Sequence, residues 1–266
     1  MAHAAHLLDA DIPLARLPGH WVLARLGKRV LRPGGLDSTR RLLKALAIGP
    51  ADRVVEFAPG LGLTARRILG LRPAAYTAVE RDESAARRLR DCLTGPAIQI
   101  VNAGAEASGL PDQCAEVVLG EAMLTMQPPE KKAAIVREAA RLLRPGGRYG
   151  LHEIALLPEA ADPATRQRIR AELSLAIHHG VSPLPVAEWT ALLAEAGFVE
   201  PRIWLAPFRL LEPSQVLRDE GWLRAARIGV NLLREAEARR RVVEMRRAFR
   251  RHQAHLRAVV IIARKA

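Results

Sequence analysis

A glycine-rich turn between an apolar segment and a helical segment is the part of this sequence best suited to chemistry. Residues 54–62 read Val-Val-Glu-Phe-Ala-Pro-Gly-Leu-Gly, and the residues that follow, as far as Leu69, have helical spacing. Glycine lets a ligand approach the backbone closely, and the start of a helix presents free N–H groups and the positive end of its dipole. A strand, a glycine turn and a helix in this order predict a site for a nucleotide-like ligand in an α/β sheet.

Two carboxylates accompany this turn. Glu56 lies just before it, and Glu80 ends the next apolar segment, where an acid is placed to bind ribose hydroxyls. The spacing Gly60-x-Gly62-x-x-Ala65 also fits the fingerprint of nicotinamide and flavin sites. Glu56 argues against that alternative, because an acid close to the turn would repel a pyrophosphate. The same acid could neutralise the ammonium group of S-adenosylmethionine (SAM), which has no phosphate.

These residues resemble the class I SAM-dependent methyltransferase family. The first motif of the family is acid-x-Gly-x-Gly-x-Gly, and this chain has Ala58 at the first glycine, which tightens the turn. Arg81 stands where family members pack a side chain on adenine. Many relatives have an Asp at the position of Gly104, so Ala105 and Glu106 are the nearest candidates for the adenine contact. The resemblance implies a SAM site formed by Glu56, Ala58, Gly60, Gly62, Glu80, Arg81, Ala105, Glu106 and Glu121.

The resemblance extends well beyond the glycine turn. Residues 117–124 resemble the fourth strand of the family, whose carboxyl end faces the methyl group, and residues 141–150 resemble the turn and the fifth strand. Residues 256–263 resemble the last strand, which inserts antiparallel beside the fifth. The resemblance therefore implies an α/β fold with a Rossmann-like, seven-stranded, mostly parallel sheet and an antiparallel last strand, together with a helical N-terminal extension and helical insertions that cover the active site.

Helical patterns outside this core predict how the site is covered. Residues 1–50 are predicted to form an N-terminal helical cover, with one helix over residues 21–31. Residues 51–266 are predicted to form the SAM-binding domain, with helical insertions at about 162–185 and 213–252. A cover of this size on a small domain favours an enclosed pocket for a small molecule over an open groove for a polymer.

Methyl transfer requires an acceptor aligned with the methyl group, and a base only when the acceptor arrives protonated. His152, at the end of the fifth strand, is the candidate base, with Glu121 or Glu153 orienting it or the acceptor. Because neighbouring side chains alternate along a strand, only one of His152 and Glu153 can face the pocket. Other residues could contact the acceptor, although ordinary packing explains them equally well: His20, Trp21, Met126, His178 and Trp222.

Composition sets further expectations. The chain has 266 residues and is 49% hydrophobic, which is typical of a globular domain. No apolar run approaches the ~20 residues of a membrane span, and the N-terminus lacks a secretory pattern, so a cytoplasmic location is expected. Two cysteines are too few for a metal cage, and the adjacent His178 and His179 would point about 100° apart on a helix, so no metal is expected.

The net charge of +13 is unevenly distributed. Residues 1–47 carry eight basic residues against three acids, and residues 218–257 carry twelve against five, whereas residues 48–217 are close to neutral. A basic stripe is typical of binding to nucleic acid or to an anionic membrane. The chain has no basic motif interleaved with aromatic residues, and a solvated helix face explains the charge as well. Nucleic acid is therefore the less favoured partner, and an anionic membrane surface or an acidic substrate stays open.

These patterns favour a SAM-dependent methyltransferase that acts on a small, apolar or amphipathic acceptor. Oxygen, nitrogen, sulfur and carbon acceptors remain open, and no pattern decides the oligomeric state. A methyltransferase for RNA or protein is one alternative, favoured by the cationic flanks. A SAM-binding protein without catalysis is another, permitted by the departures at Ala58 and Gly104.

Overall fold

A computed structural model describes residues 13–157 and 162–266 of the chain. The described part contains one mixed sheet with helices on both faces. Its strands are β1 (Arg53–Phe57), β2 (Ala75–Val79), β3 (Ile98–Val101), β4 (Ala115–Glu121), β5 (Leu143–Leu156), β6 (Leu184–Pro185), β7 (Phe198–Pro207) and β8 (Leu256–Lys265). Its α-helices are α1 (Gly19–Arg25), α2 (Gly35–Leu46), α3 (Leu63–Gly70), α4 (Glu83–Cys92), α5 (Pro129–Leu142), α6 (Pro163–Ile177), α7 (Val186–Glu195), α8 (Pro213–Glu220), α9 (Trp222–Arg234) and α10 (Ala236–Arg251).

The strand order is β3-β2-β1-β4-β5-β8-β7, and the two-residue β6 pairs with β5. Strands β1 to β5 are parallel, whereas β8 runs antiparallel between β5 and β7. This topology confirms the predicted Rossmann-like sheet with an antiparallel last strand. It also brings the carboxyl ends of β1, β2 and β4 to one edge, which is where open α/β sheets bind their ligands.

Both faces of the central strands are buried, which explains why these strands read as apolar runs. On one face, Val55 of β1 and Val118 of β4 pack with helices α5 and α7. On the other face, Val54 and Val117 pack with helices α2, α3 and α4. Helix α2 also packs on β8, so part of the N-terminal cover is fixed directly to the sheet.

The N-terminal cover differs from the sequence prediction at one point. The helix predicted over residues 21–31 ends as α1 at Arg25, because Gly27 adopts a φ of 101° that ends helices. The chain then runs without regular structure to Gly35, where α2 begins, and this irregular segment carries Arg32. The predicted insertion over 213–252 consists of three helices, α8, α9 and α10. None of the helices in the described residues has the length and apolar character needed to span a bilayer.

Candidate active site

The glycine turn after β1 is held in place by Glu80. The amide of Gly60 donates to Oε2 of Glu80 at 3.0 Å, and the amide of Asp82 donates to Oε1 at 3.0 Å. Gly60 has a φ of 56°, and a Cβ there would meet no atom within 4 Å, so the turn borders open space. Because a carboxylate offers about four acceptor positions, Glu80 retains lone pairs for a ligand. Ala58, at the first glycine of the motif, adopts a φ of 51°, which favours glycine.

A cavity of about 660 Å³ lies over this edge of the sheet. Four acids reach it from the ends of three strands: Glu56, Glu80, Asp82 and Glu121. The described cover contributes residues from the N-terminal segment and from the end of α6, namely Pro18, His20, Trp21, Arg29, Leu31, Arg32 and His179. The lining also includes Ala58, Gly60, Arg81 and Met126, so the structure brings most of the predicted site residues to one cavity. Their functional roles stay predictions.

Glu56 is buried at the base of this cavity. The hydroxyl of Tyr76 donates to its Oε2 at 2.6 Å. Burial raises the pKa of Glu56 to about 8, an effect that the Tyr76 hydrogen bond reduces and the nearby Glu121 carboxylate increases. Without a cation in the cavity, Glu56 is therefore largely protonated at neutral pH.

Glu121 behaves differently because it lies in a network of donors. Its Oε1 accepts from the guanidinium of Arg32 and from Thr64 Oγ1, and its Oε2 accepts from Thr39 Oγ1 at 2.7 Å and faces Nδ1 of His152 at 2.8 Å. Burial alone would raise the pKa of Glu121, but the Arg32 charge and the His152 contact outweigh it and lower the pKa to about 2. Glu121 is thus a stable anion, neutralised by Arg32.

His152 is completely buried, and both of its ring nitrogens are engaged. The amide of Gly34 donates to Nε2 at 3.2 Å, so Nε2 carries no proton and Nδ1–H donates to Glu121. His152 is not among the described residues that line the cavity. The hydrogen bonds of His152 therefore link Gly34 in the N-terminal segment to Glu121 at the end of β4. Because both ring nitrogens are engaged in these contacts, they do not support the predicted role of His152 as a base.

Glu153 points to the opposite side of β5 and orders the turn after β4. It accepts from the amides of Met123, Leu124 and Thr125 at 2.9, 2.7 and 3.0 Å and from the Thr125 hydroxyl at 2.6 Å. Burial raises the pKa of Glu153, and these donors partly offset that effect.

A second, apolar cavity of about 70 Å³ adjoins the first. Both cavities are lined by His20, Leu31, Ala122 and Met126. The remaining wall of the apolar cavity comes largely from α1, α6, α10 and the segment after β7, and includes Leu23, Ile154, Ile177, Val181, Phe208, Leu210, Met245 and Phe249. The narrow volume suits an alkyl group or the edge of one ring better than a polymer.

His20 stands at the junction of the two cavities. Its Nδ1 is buried and has no hydrogen-bond partner among the described residues. Burial, followed by the nearby His179, lowers the pKa of His20 to about 4, so the imidazole is neutral at physiological pH. The rings of His20 and Trp21 have centroids 5.1 Å apart. His20 is therefore a neutral imidazole with a buried nitrogen that has no partner among the described residues.

Besides His152, five predicted site residues are absent from the described linings of the two cavities. Gly62 begins α3 with a φ of 69°, Ala105 packs in the core, and His178 forms the left-handed C-cap of α6, whereas its neighbour His179 does reach the larger cavity. Glu106 is paired with Lys131 at 2.6 Å, and Trp222 is 71% exposed on α9.

The position of Glu106 nevertheless bears on the predicted adenine contact. A Cβ at Gly104 would lie 2.6 Å from Oε2 of Glu106. The Glu106 carboxylate therefore lies beside the position at which many relatives carry an Asp.

Sequence reasoning missed the residues that complete the Glu121 network, above all Arg32, Thr39 and Thr64. Nothing in the local sequence marks Arg32, because its role depends on the irregular path between α1 and α2. Among residues 13–157 and 162–266, no group of three or more His, Cys, Asp and Glu side chains is placed to hold a metal ion.

Comparisons with known proteins agree with this geometry. A family model described as a methyltransferase domain matches residues 54–147. An uncharacterised protein of Haemophilus influenzae is 30% identical over 247 residues, which cover 91% of this chain and 96% of that protein. The 27-O-demethylrifamycin SV methyltransferase of Amycolatopsis mediterranei is 28% identical over 71% of this chain and 66% of its own length.

A solved structure extends the likeness to the fold. Phosphoethanolamine N-methyltransferase 2 of Haemonchus contortus, in complex with S-adenosylhomocysteine, superposes with a TM-score of 0.70 at 12% identity, covering 97% of this chain and 60% of that chain. The chain belongs to the class I SAM-dependent methyltransferase family.

Proposed function

We propose that this protein transfers a methyl group from SAM to a small acceptor that has an apolar part and a hydroxyl or amine group. The observation that carries the proposal is the junction of two cavities, one lined by acids at the ends of the strands and the other apolar. The first suits a cationic cofactor and the second an apolar acceptor, and they meet at His20, Ala122 and Met126.

The lining of the larger cavity fits SAM better than a dinucleotide. SAM carries an ammonium, which would form an ion pair with Glu56 once that carboxyl loses its proton, whereas a pyrophosphate beside Glu56 would be repelled by the ionised carboxylate. We propose that Glu56 binds the ammonium, that the free lone pairs of Glu80 accept from the ribose hydroxyls, and that Arg81 packs on adenine. The carboxylate of Glu106 would contact the adenine amino group from beside Gly104.

Bound SAM would supply an activated methyl group, and the residues of this chain would align an acceptor with it. We propose that the apolar cavity holds the acceptor skeleton and that His20 accepts a hydrogen bond from its hydroxyl or amine. The neutral imidazole of His20 would accept the proton that the acceptor loses on methylation, and S-adenosylhomocysteine would remain as the second product after the bond from its sulfur to the methyl carbon breaks. Alignment of this kind lowers the activation free energy by about 7–11 kcal/mol when the reacting atoms are held in line and in contact.

Calorimetric titration with S-adenosylhomocysteine tests the cofactor. We expect stoichiometric binding, no binding of NADH, and an affinity about 10- to 100-fold lower in Glu80→Ala, because that change removes charged hydrogen bonds to the ribose and to the turn. The matched control is Glu83→Ala, which removes an exposed glutamate of α4 that pairs only with Arg87. Preference for NADH, or equal losses in the two variants, would contradict the cofactor assignment.

Transfer of a labelled methyl group tests catalysis. The wild-type protein and SAM would be incubated with hydroxylated and aminated aromatic compounds, and in parallel with total RNA. Methylation of a small compound that is lost in His20→Phe supports the proposal. Methylation of RNA alone would move the assignment to the RNA alternative, and tight SAM binding without any transfer would favour a SAM-binding protein without catalysis.

A further inference from the structure

Helices α8 and α9 expose a row of large apolar side chains. Trp222, Leu223 and Leu233 are 71%, 67% and 74% exposed, and Leu217 and Val230 are about half exposed. On α9, Trp222, Val230 and Leu233 are separated by eight and eleven residues, which places them on one side of a helix, whereas Ile228 on the other side is buried. We refer to these five exposed side chains as the α8–α9 surface.

Most of the exposed charges around the α8–α9 surface are positive, and Glu235, which follows α9, is an exposed acid beside them. Helices α8 and α9 carry four arginines, Arg218, Arg224, Arg227 and Arg234. The acids within these two helices are Asp219 and Glu220, and both are buried. Glu220 accepts from the amides of Arg29 and Val30 at 2.7 and 2.8 Å, and it pairs with the side chains of Arg29 and Arg224 at 3.5 and 3.9 Å. The exposed charge on helices α8 and α9 is therefore positive, with Glu235 just beyond α9 as an exposed acid.

A shallow hollow joins these two features. It has a volume of about 360 Å³ and is lined by three arginines, Arg29, Arg224 and Arg227, by the Glu220 carboxylate, and by Trp222 and Leu223. Guanidinium groups bind phosphate oxygens well, and an indole ring suits the boundary between water and hydrocarbon. The hollow thus offers cationic donors for a phosphate headgroup next to side chains that can contact acyl chains.

We propose that the α8–α9 surface binds the face of an anionic phospholipid bilayer, with phosphate headgroups at Arg224 and Arg227 and with Trp222, Leu223 and Leu233 inserted among the acyl chains. Amphipathic helices with apolar and arginine-rich sides bind membranes in this way. A second copy of the chain fits less well, because two such surfaces would bring their arginines together. Nucleic acid would leave the leucines in contact with water or with charged phosphates.

The membrane contact has a consequence for the acceptor, which rests on the proposed function. Arg29 lines both the hollow and the larger cavity, so the membrane face adjoins the active site. An apolar acceptor dissolved in the bilayer would then enter the larger cavity from the membrane face and reach the apolar cavity that adjoins it. The binding itself does not depend on methyl transfer and is tested without it.

Flotation with vesicles tests the inference on the full chain. Vesicles of phosphatidylcholine mixed with phosphatidylglycerol should carry the wild-type protein upward, and vesicles of phosphatidylcholine alone should carry much less. We expect Trp222→Ser and Leu233→Ser each to weaken binding by about tenfold, because each removes a buried apolar side chain from the lipid. Replacing both Arg224 and Arg227 by Gln should weaken binding to the anionic vesicles by about 25-fold, at roughly fivefold for each charge.

Matched controls lie outside the α8–α9 surface, at helices α3 and α4. Leu71→Ser removes an exposed leucine that follows α3, and Arg90→Gln removes an exposed arginine from the last turn of α4, so both should bind vesicles like the wild type. The inference is overturned if the wild-type protein stays with neither vesicle, or if the controls lose as much binding as the α8–α9 variants. Sedimentation velocity measures the oligomeric state of the wild type and of Leu233→Ser in parallel. A dimer that Leu233→Ser dissociates, without vesicle binding, would show instead that this surface joins two copies.

Discussion

Binding of S-adenosylhomocysteine should release close to one proton from Glu56 at pH 7. Glu56 is buried beneath the cofactor cavity with a single hydrogen-bond donor, Tyr76, and burial raises its pKa to about 8. The amino acid end of the ligand carries the same ammonium as SAM. An ammonium beside a buried carboxyl favours the charged form and lowers its pKa, so the proton must leave as the ion pair forms.

The size of this effect follows from the pKa of the ligand-free protein. With a pKa of about 8, the carboxyl is about 90% protonated at pH 7 and about 50% protonated at pH 8. We therefore expect release of about 0.9 proton at pH 7 and about 0.5 at pH 8. Because the bound state holds fewer protons, affinity should rise with pH, and binding at pH 8 should be about 50-fold tighter than at pH 6.

Calorimetry measures this release directly. The binding enthalpy at pH 7 is determined in several buffers and plotted against the ionisation enthalpy of each buffer. The slope of this plot gives the number of protons released. Glu56→Gln should bind more weakly and show a slope close to zero, whereas Glu83→Gln on the surface of α4 should behave like the wild type. A wild-type slope near zero, or an equal slope in Glu56→Gln, would refute the assignment of Glu56 to the ammonium.

The other predictions concern stability and are tested by urea unfolding of the ligand-free protein. Because burial raises the pKa of Glu56 from 4.5 to about 8, the stability of the wild type should fall as pH rises through this range. Glu56→Gln should remove that dependence. Between pH 5 and pH 9, the variant should therefore gain on the order of 3–5 kcal/mol of unfolding free energy relative to the wild type. Arg32→Met leaves the buried Glu121 without its cation and should cost about 3–5 kcal/mol at pH 7; a loss below about 1 kcal/mol would contradict the network. Ala58→Gly should stabilise the protein by about 0.5–1 kcal/mol. Glycine removes the strain of the positive φ in the folded state, and this gain exceeds the cost of its greater freedom in the unfolded chain. A loss of stability in this variant would show that the turn is unstrained. His20→Phe should also stabilise, by about 1 kcal/mol, since it removes a buried nitrogen without a partner; destabilisation would mean that this nitrogen is satisfied.

The part of the site that lies within one β-α-β unit could be predicted from the sequence. Glu80 and Gly60 are 20 residues apart, and they meet because β1 and β2 are adjacent and parallel. Apolar runs, a glycine turn and a helical period suffice to place both at the same edge of the sheet. The last strand was predictable for a similar reason, since Leu256 to Ala263 is an apolar run that only a buried strand position accommodates.

The part of the site that depends on the N-terminal cover could not be predicted. Arg32 meets Glu121 across 89 residues, and Gly34 meets His152 across 118. These contacts follow from the irregular path that begins at Gly27, where periodicity suggested that the helix continued. Patterns of hydrophobicity describe regular elements, and they contain no signal for which polar group a loop brings to a distant strand.

Two histidines show how the environment decides a role that residue type leaves open. His152 is completely buried beside Glu121, whereas His20 is half-buried with its Nδ1 buried, and each is a candidate from the sequence. The protein satisfies both nitrogens of His152 internally, so this residue contributes to stability whether or not a ligand is present. It leaves the buried Nδ1 of His20 without a hydrogen-bond partner among the described residues, at a cost of about 1–3 kcal/mol. Under the proposed function, a ligand that donates a hydrogen bond to His20 would recover this cost on binding, so we expect acceptors with a hydroxyl or amine to bind more tightly than apolar analogues that lack one.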